Sequence, residues 1–235
     1  MAPPGAAERS TASLSGAGAA DEQKRAAAIA ASELVQDGMR VGLGTGSTVA
    51  FLLPALAGRG LTGLRCVATS PATERRAREL GLPLATLTEL VELDIAIDGA
   101  DQVDPAGWLV KGGGGAHTRE KIVASAARTF AVIVSAEKVV PRLQAPVPLE
   151  LVPFEVAHTL AALAPAHLRE VPPSPDGGLI ADYLGEVGDP AALADRLDRA
   201  PGVVDHGLFA PELVSTVLIG TAAGVERRSG AKPPA

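Results

Sequence analysis

The sequence predicts an α/β fold in which a doubly wound, mostly parallel sheet is joined to a small second α/β unit. Short apolar runs alternate with helical segments from residue 21 to residue 138, which is the pattern of strands joined by crossover helices. The run FAVIVS at 130–135 is apolar throughout, as expected of a strand buried on both faces of a sheet. After residue 141 the pattern changes, and three prolines between 146 and 153 mark the crossing into the second unit.

The composition limits the classes of function. A chain of 235 residues can bury a sizeable core, and its net charge of −6 argues against a nucleic-acid partner, which would need a basic face. The single cysteine, Cys66, excludes an internal disulfide and fits a reducing compartment. No run of 18 or more apolar residues is present to span a membrane. We therefore expect a cytoplasmic protein with no membrane and no nucleic-acid partner.

The first elements can be taken in order. Residues 1–20 are rich in Ala, Gly, Ser and Pro, which predicts a disordered tail. Asp21 is a candidate N-cap for an alanine-rich helix that ends near residue 36. A strand at 41–43 follows, and its carboxyl end leads into the segment GTGST at 44–48.

The GTGST segment joins a strand end to an apolar helix that begins at residue 49, so N–H groups, hydroxyls and the helix dipole can together bind an anion. A dinucleotide fingerprint is the rival interpretation. It fits only if Ser47 replaces the last glycine, and the next strand, at 64–70, lacks the acidic residue that would bind a ribose. A tight turn without a ligand is the third interpretation of this segment taken alone. We favour a site for a single phosphate.

Residues 94–120 give the strongest indication of a functional site, because two strand ends and one helix start place charged side chains beside glycine backbone. A buried strand at 93–97 ends in DGAD at 98–101, and a second apolar run leads Lys111 into four consecutive glycines. Thr118 is then a candidate N-cap for the next helix. Strand carboxyl ends are where open α/β sheets bind ligands, and glycines leave N–H groups accessible. This stretch is predicted to be a functional site.

The charged residues of this stretch allow more than one interpretation. Asp98 and Asp101 could hold Mg²⁺ or could cap a turn, and Lys111 weakens the metal interpretation because it brings a cation to the same edge. Glu120 is either a helix-dipole acid or a general base, and the sequence does not choose between them. Six further residues taken singly are interpreted as incidental or solvated: His117, His158, His167, His206, Lys24 and Lys138.

The chain after residue 145 divides into a second unit and a return to the first. The predicted elements are a helix at 154–163, strands near 167–171 and 178–184, a helix at 189–200, and strands at 203–209 and 215–219 that rejoin the first sheet. We accordingly predict a main domain at 21–145 and 203–228, a small domain at 146–202, and a frayed tail at 229–235.

Five motifs resemble, in the same order, those of type A ribose-5-phosphate isomerases: GTGST at 44–48, DGAD at 98–101, KGGG at 111–114, TREK at 118–121 and SAEK at 135–138. The resemblance extends to about Gly224 and includes PGVVDHGLF and VLIGTAAGV near the end. It implies a Rossmann-like catalytic domain with a small inserted, ferredoxin-like lid. It also implies an aldose–ketose isomerase of the pentose phosphate pathway that acts through an enediolate, with no cofactor and no metal, as a homodimer or tetramer.

The resemblance further implies roles for individual residues. Glu120 would be the base that moves a proton between C1 and C2, with Asp98 and Lys111 as catalytic residues beside it. An enediolate needs such a base on one face and a cation at its oxyanion. The implied substrate-binding residues for the sugar phosphate are Lys24, Thr45, Gly46, Ser47, Thr48, Asp98, Gly99, Ala100, Asp101, Lys111, Gly112, Gly113, Gly114 and Lys138.

Two departures from the family pattern leave the role of the lid open. A fourth glycine, Gly115, and two further residues precede TREK, and PPSPDGG at 172–178 replaces the usual Thr-Asp-Asn-Gly-Asn turn. The alternative function is a phosphosugar-binding regulatory module. Such a module would keep the 44–48 segment but would need neither Glu120 nor Lys111. It would also need a basic helix-turn-helix, which we do not expect in the N-terminal segment.

Overall fold

The computed structural model describes residues 6–233, with side chains described from Gly18 onward. Its helices are α1 (Ala6–Ser32), α2 (Val49–Ala57), α3 (Pro71–Glu79), α4 (Leu87–Leu90), α5 (His117–Ser125), α6 (Val156–Ala162) and α7 (Pro190–Asp198). Its strands are β1 (Arg40–Leu43), β2 (Arg65–Ala68), β3 (Leu93–Gly99), β4 (Gln102–Val103), β5 (Leu109–Val110), β6 (Ala127–Ser135), β7 (Val147–Leu151), β8 (Ala166–Leu168), β9 (Leu179–Tyr183), β10 (Val203–His206), β11 (Leu208–Phe209), β12 (Thr216–Thr221) and β13 (Gly224–Ser229). Within the described part of the chain, none of these helices has the length and apolar character needed to cross a membrane.

The main sheet has six strands in the order β13-β12-β6-β3-β1-β2. Neighbouring strands are parallel except for β12 and β13, which pair antiparallel at one edge. Helices cover both faces. On one face Ala28 of α1 and Leu52 of α2 pack with Ile97 of β3, and on the other Val123 of α5 packs with Phe130 of β6. The predicted doubly wound, mostly parallel sheet is confirmed.

The strand order places a topological switch point between β1 and β3. The chain moves outward from β1 to β2, then returns to the other side of β1 to form β3. Ligands of open α/β sheets bind at such reversals, at the carboxyl ends of the strands. The 44–48 segment follows β1 and the DGAD segment follows β3, so the two lie side by side. The N–H of Thr45 donates to the Oδ1 of Asp98 at 3.0 Å.

The small unit is a four-stranded antiparallel sheet in the order β10-β7-β9-β8. With α6 between β7 and β8 and α7 between β9 and β10, its connectivity is the βαββαβ of ferredoxin-like folds. Leu149 and Leu151 of β7 are buried in its core together with Leu197 of α7. The ferredoxin-like character of the small unit is therefore confirmed.

The predicted path of the chain is wrong where the chain leaves this unit. Residues 203–206 do not rejoin the main sheet, because β10 pairs with β7, and β11 joins β5 and β4 in a separate three-stranded sheet. Of the two strands predicted to rejoin the main sheet, only the second, β12, does so, pairing with β6 on one side and with β13 on the other. The cause lies in β7: its Pro148 argues against a strand, since proline lacks the N–H that a ladder uses. With β7 unrecognised, β10 had no partner in the small unit.

Both terminal predictions also differ from the structure. Helix α1 begins at Ala6, so residues 6–20 are helix where a disordered tail is predicted, in keeping with the high helix propensity of alanine; residues 1–5 lie outside the described residues.

The predicted frayed tail starts with the end of β13, and beyond it the N–H of Gly230 donates to Ser215 O at 2.9 Å. Residues 234–235 are not described. An edge strand can be polar on both faces, which is why its composition resembles a tail.

This hydrogen-bonded C-terminal segment should contribute to stability. Removing residues 230–235 deletes the Gly230 bond and two bonds from Lys232, to Val214 O at 2.9 Å and to Ala127 O at 2.6 Å. At about 0.5–1.5 kcal/mol each, their loss should lower the free energy of unfolding by roughly 1–4 kcal/mol in urea denaturation. A chain lacking only residues 234–235 keeps all three bonds and is the control. Equal stability of the two truncated chains would contradict this prediction.

Candidate active site

A cavity of about 110 Å³ opens at the carboxyl ends of β1, β3 and β5, at the switch point of the main sheet. Its lining residues are Thr45, Gly46, Ser47, Thr48, Gly99, Ala100, Asp101, Lys111, Gly112, Gly113, Gly114, Glu120 and Lys138. All of them belong to the set of predicted site residues. The two predicted residues outside this lining are Asp98, which lies directly behind Lys111, and Lys24.

Three buried charged groups meet at the base of the cavity. The Lys111 Nζ lies 3.0 Å from the Oδ2 of Asp98 and 3.2 Å from the Oε2 of Glu120. The exposed fractions of Asp98, Lys111 and Glu120 are 3, 2 and 5%. The same ammonium also donates to the backbone oxygen of Gly99. The Lys111 ammonium therefore pairs with two carboxyl groups in a region shielded from water.

Asp98 is held by backbone as well as by Lys111. Its Oδ1 accepts the N–H groups of Thr45, at 3.0 Å, and of Gly99, at 2.7 Å. The carboxyl group lies so close to the β1 end that a Cβ on Gly44 would stand 1.9 Å from Oδ1. A glycine at 44 is thus required for the carboxylate to occupy this position.

The protonation of the three groups follows from their burial and mutual charge. Burial raises the pKa of Glu120 to about 8, the Asp98 charge adds to this, and Lys111 opposes it. Burial acts to lower the pKa of Lys111, but the two carboxylates outweigh it and raise that pKa to about 12. Burial also raises the pKa of Asp98, against Lys111 and two backbone N–H groups. Asp98 has more hydrogen-bond donors than Glu120, and these favour the ionised form of its carboxyl group.

The position of Lys111 is set by the junction of the two units. Lys111 follows β5, and its N–H donates to Gly207 O at 2.8 Å, while the N–H of Gly207 donates to Pro148 O at 2.7 Å. The ring of Phe209 packs under the side chain, with its centroid 5.4 Å from the Nζ. The small unit thus borders the site through backbone hydrogen bonds.

Glu120 reaches the cavity from the first turn of α5. The helix starts at His117, and the N–H of Glu120 donates to Ala116 O at 2.9 Å. Thr118 does not cap the helix as predicted. Its hydroxyl instead donates to the buried carboxylate of Glu150 in β7, which ties this turn to the small unit. Glu120 is the fourth residue of α5, so the helix fixes the direction of its side chain and holds the carboxyl group toward Lys111.

The 44–48 segment has the geometry of an anion site. It leads into α2, whose N-cap, Thr48, makes no side-chain capping bond, so N–H groups and hydroxyls remain at the positive end of the helix dipole. Thr45 has a structural role, because its hydroxyl pairs with that of Thr69 at 2.8 Å. Ser47 is exposed to the cavity and Thr48 is half-buried in its wall.

The remaining predicted residues lie around this centre. Asp101 accepts the N–H of Gly113 at 2.8 Å, so it and Asp98 point at different groups rather than at a common cation. Lys138 lines the cavity from the turn after β6. Lys24 pairs with Asp21 at 3.2 Å on α1 and does not line the cavity, so its contact with substrate stays a prediction.

Two of the histidines interpreted as incidental are buried beneath the site. His117 is 0% exposed and His206 3%, and burial lowers the pKa of each to about 3, so both rings are neutral. Lys121 lies beside them, donating to Asp205 Oδ1 at 2.5 Å and to His206 O at 2.7 Å, 5.0 Å from the ring centroid of Phe209. Lys121, which follows Glu120 in the TREK motif, therefore has a structural role.

Within the described residues, one group has the arrangement of metal ligands: Asp198, Asp205 and His206, with ligand atoms within 4.8 Å of one another. Nδ1 of His206 accepts the N–H of Leu208 at 3.1 Å, so the proton of the neutral ring lies on Nε2, which faces Asp198 at 3.1 Å. Lys121 already neutralises Asp205. A cation would have to displace both the proton and the ammonium, and we assign no metal to this group.

The matches to known proteins agree with this geometry. Residues 65–224 match the family model of ribose 5-phosphate isomerase A (phosphoriboisomerase A). The chain is 48% identical over 223 residues to ribose-5-phosphate isomerase A of Caulobacter vibrioides, covering 88% of this chain and 98% of that protein. The chain belongs to the ribose 5-phosphate isomerase A family. The predicted resemblance is confirmed.

Solved structures of this family share the fold over nearly their whole length. The isomerase A of Neisseria gonorrhoeae superposes with a TM-score of 0.85 at 34% identity, covering 92% of this chain and 97% of that one. The isomerase A of Methanocaldococcus jannaschii gives 0.83 at 36% identity, covering 88 and 98%. A D-ribose-5-phosphate isomerase structure with 35% identity, a TM-score of 0.84 and coverage of 89 and 99% is a complex with phospho-erythronic acid. The family fold thus extends over both units of this chain.

The close approach of Gly44 to Asp98 gives a direct test of the site. In Gly44→Ala the new methyl group must push the Asp98 carboxylate away from Lys111 and Thr45, so kcat/KM for ribose 5-phosphate should fall on the order of 100-fold. If the effect acts through Asp98, adding Gly44→Ala to Asp98→Gly, which removes every side-chain atom that the new methyl group would meet, should cost little further activity. Additive losses in the double variant would show that Gly44 acts by another route.

Proposed function

We propose that Glu120 is the catalytic base of an aldose–ketose isomerase that interconverts D-ribose 5-phosphate and D-ribulose 5-phosphate in this cavity. The reaction is that of the family to which the chain belongs. One observation carries the assignment of roles: the buried Lys111 ammonium stands between Asp98 and Glu120, at 3.0 and 3.2 Å, in a cavity also lined by the 44–48 segment. This arrangement supports the assignment of Glu120 as the base, Lys111 as the cation and the 44–48 segment as the anion site.

The chemistry needs a single carboxylate. Glu120 takes the proton from C2 of the open-chain aldose, and the C–H electron pair forms the C1–C2 double bond while the carbonyl electrons move to O1. Lys111 stabilises the negative charge on the enediolate oxygens. Glu120 then returns the proton to C1, and the hydroxyl proton passes from O2 to O1, so that C2 becomes the ketone. A carboxyl pKa near neutrality suits both halves of this exchange.

The other cavity residues hold the substrate. The 44–48 segment binds the phosphate, because N–H groups, two hydroxyls and the α2 dipole face the same space. Asp101, the N–H groups of Gly112 and Gly114, and Lys138 bind the sugar hydroxyls, with Gly113 holding Asp101 through its N–H. Lys24 reaches the phosphate from α1. Phospho-erythronic acid, which is bound in a similar isomerase, supports this arrangement, since its carboxylate resembles an enediolate and its other end carries a phosphate.

The regulatory-module alternative does not account for the buried charges. Burying an ammonium with two carboxyl groups is expensive in free energy, and apolar residues at the same positions usually stabilise a protein better. A protein that only binds a sugar phosphate has no need of Glu120 with a pKa of about 8 beside Lys111. Perturbed pKa values in a cleft favour a catalytic site.

The proposal extends to the setting of the enzyme. We infer a cytoplasmic homodimer of the pentose phosphate pathway that works without a cofactor. The single Cys66 is buried and unpaired, which suits a reducing compartment. Phe154, with 80% of its surface exposed, and the neighbouring Val152, with 40%, give the small unit an apolar surface of the kind that subunit contacts cover.

Glu120→Gln tests the base. The amide keeps the shape and a hydrogen bond to Lys111 but removes basicity, so kcat for ribose 5-phosphate should fall by about 10²–10⁴ with KM little changed. Exchange of the C2 proton with solvent deuterium should stop in parallel, and EDTA in the assay should have no effect on either enzyme. If the variant exchanges the C2 proton at nearly the wild-type rate, the base is another residue, and Asp98 is the next candidate.

The raised pKa of Glu120 predicts the pH dependence. The base must be ionised, so kcat/KM should be constant above about pH 8 and should fall tenfold per unit below it, as Glu120 gains a proton in the free enzyme. Asp98→Asn removes a charge that raises this pKa and leaves Lys111 to Glu120 alone. The acid limb of the remaining activity should therefore move to lower pH. If the acid limb of the kcat/KM profile lies at the same pH in Asp98→Asn, the group that titrates there is not Glu120.

A further inference from the structure

The glycine loop, residues 112–115, is contacted from the small unit by one arginine. Nη1 of Arg169 donates to Gly112 O and to Gly113 O, each at 3.0 Å. The other side of the guanidinium pairs with Asp182, with Nε 2.7 Å from Oδ2 and Nη2 2.6 Å from Oδ1. Four of the five N–H donors of this side chain are therefore engaged, two of them on the loop.

Arg169 is itself firmly anchored. It directly follows β8, and its N–H donates to Ile180 O at 2.9 Å in β9. Asp182 lies in β9 opposite His167, which is two residues before Arg169 and therefore on the same face of the sheet. Both side chains of the ion pair are largely buried, with exposed fractions of 17 and 16%. The guanidinium thus links the loop to two paired strands rather than to a mobile surface.

The contacts determine which way the loop peptides face. A trans peptide group directs its C=O and its N–H to opposite sides. The peptide between Gly112 and Gly113 accepts from Arg169 at its oxygen and donates to Asp101 Oδ2, at 2.8 Å, from its nitrogen. The next peptide also presents its oxygen to Arg169, so the N–H of Gly114 is directed to the opposite side. Asp101 and Gly114 both line the cavity.

The loop has no side chains with which to hold itself in this arrangement. Gly112 has φ +98°, and a Cβ there would stand 2.6 Å from Nδ1 of His117, so only glycine is accommodated. Glycine permits the conformation but does not favour it over others. Within the loop, the N–H of Gly115 donates to Gly112 O at 3.0 Å. The two bonds from Arg169 supply the restraint from outside.

We propose that Arg169 is a positioning residue for the isomerase reaction: it holds the glycine loop so that the N–H of Gly113 stays on Asp101 and the N–H of Gly114 faces the substrate side of the cavity. Its charge also polarises both peptides, which strengthens the Gly113 N–H as a donor to Asp101 and the Gly114 N–H as a donor to a sugar oxygen. The small unit acts in this respect as a brace for the loop that follows Lys111. This role rests on the proposed function of the cavity.

Arg169→Met, combined with Asp182→Asn so that no buried carboxylate is left unpaired, removes the brace. We expect kcat/KM for ribose 5-phosphate to fall about 10- to 100-fold, mainly in kcat, because misplaced donors weaken transition-state binding. Inhibition by inorganic phosphate should be unchanged, since the 44–48 segment is untouched. The matched control is Arg119→Met with Asp176→Asn, which removes a bidentate pair of similar geometry, 2.6 and 2.7 Å, between α5 and the small unit without touching the loop.

Amide hydrogen exchange separates this proposal from the proposed function. The N–H groups of Gly113 and Gly114 should exchange faster in the Arg169 variant than in the control, and this readout does not require turnover. In Arg169→Gly, added guanidinium ion should restore a several-fold gain in kcat, with no gain in Arg119→Gly. Unchanged loop exchange together with wild-type kcat would overturn the positioning role. If the wild-type protein has no isomerase activity but loop exchange is still faster in the Arg169 variant than in the control, the proposed function is wrong and the role of Arg169 in holding the loop stands.

Discussion

The structure depends on one interaction, the pairing of the Lys111 ammonium with the carboxyl groups of Asp98 and Glu120. An isolated buried charge is too expensive to maintain, and each of these three groups is tolerable only because the others are present. Their backbones come from the end of β3, the end of β5 and the start of α5. The strand order, the switch point and the glycine loop all serve to bring these three ends to one place.

The polar groups around this interaction are mostly backbone. The carboxylate of Asp98 is solvated by N–H groups of Thr45 and Gly99, and the 44–48 and 112–115 segments offer further N–H groups to the cavity. Backbone donors lose no side-chain entropy on binding, and they cannot turn away to another partner. They must instead be aimed by what surrounds them. Some side chains around the cavity therefore hold peptide groups in place and do not touch substrate, as Arg169 does for the glycine loop.

Much of the cavity could be predicted from the sequence because its charges lie within a few residues of recognisable strand ends. DGAD, KGGG and TREK each join a short apolar run to glycines or a helix start, and such local patterns are visible in one dimension. Arg169 could not be found in this way. It is a single basic residue in a region of weak pattern. Its partner Asp182 is brought beside it by the pairing of β8 with β9, and its partner Gly112 by the contact of the small unit with the glycine loop. His117 and Lys121 were missed for the same reason, since their burial is a tertiary property.

The fold predictions succeeded where strands were long and apolar. They failed where a segment has a residue composition that is unusual for the strand or helix it forms. VPLEL at 147–151 is a central strand in spite of Pro148, and VERRS at 225–229 is an edge strand although nothing in it is buried. The alanine- and glycine-rich segment before Asp21 has too few large side chains to predict packing, yet it continues the helix. Each error arose because propensity is a local quantity, whereas the hydrogen-bonding partner lay in another strand or in the neighbouring turn of the same helix.

The hydrogen bonds from Lys111 to Gly207 and from Gly207 to Pro148 also bear on how this architecture could arise. They show that the chain enters and leaves the small unit at neighbouring points, which is the geometry that allows one domain to be inserted into another without disturbing the host sheet. Here the point of insertion coincides with the backbone of the lysine. Exchange of the small unit for a different one, by evolution or by engineering, would therefore have to preserve this seam of two hydrogen bonds even if every side chain beyond it were replaced.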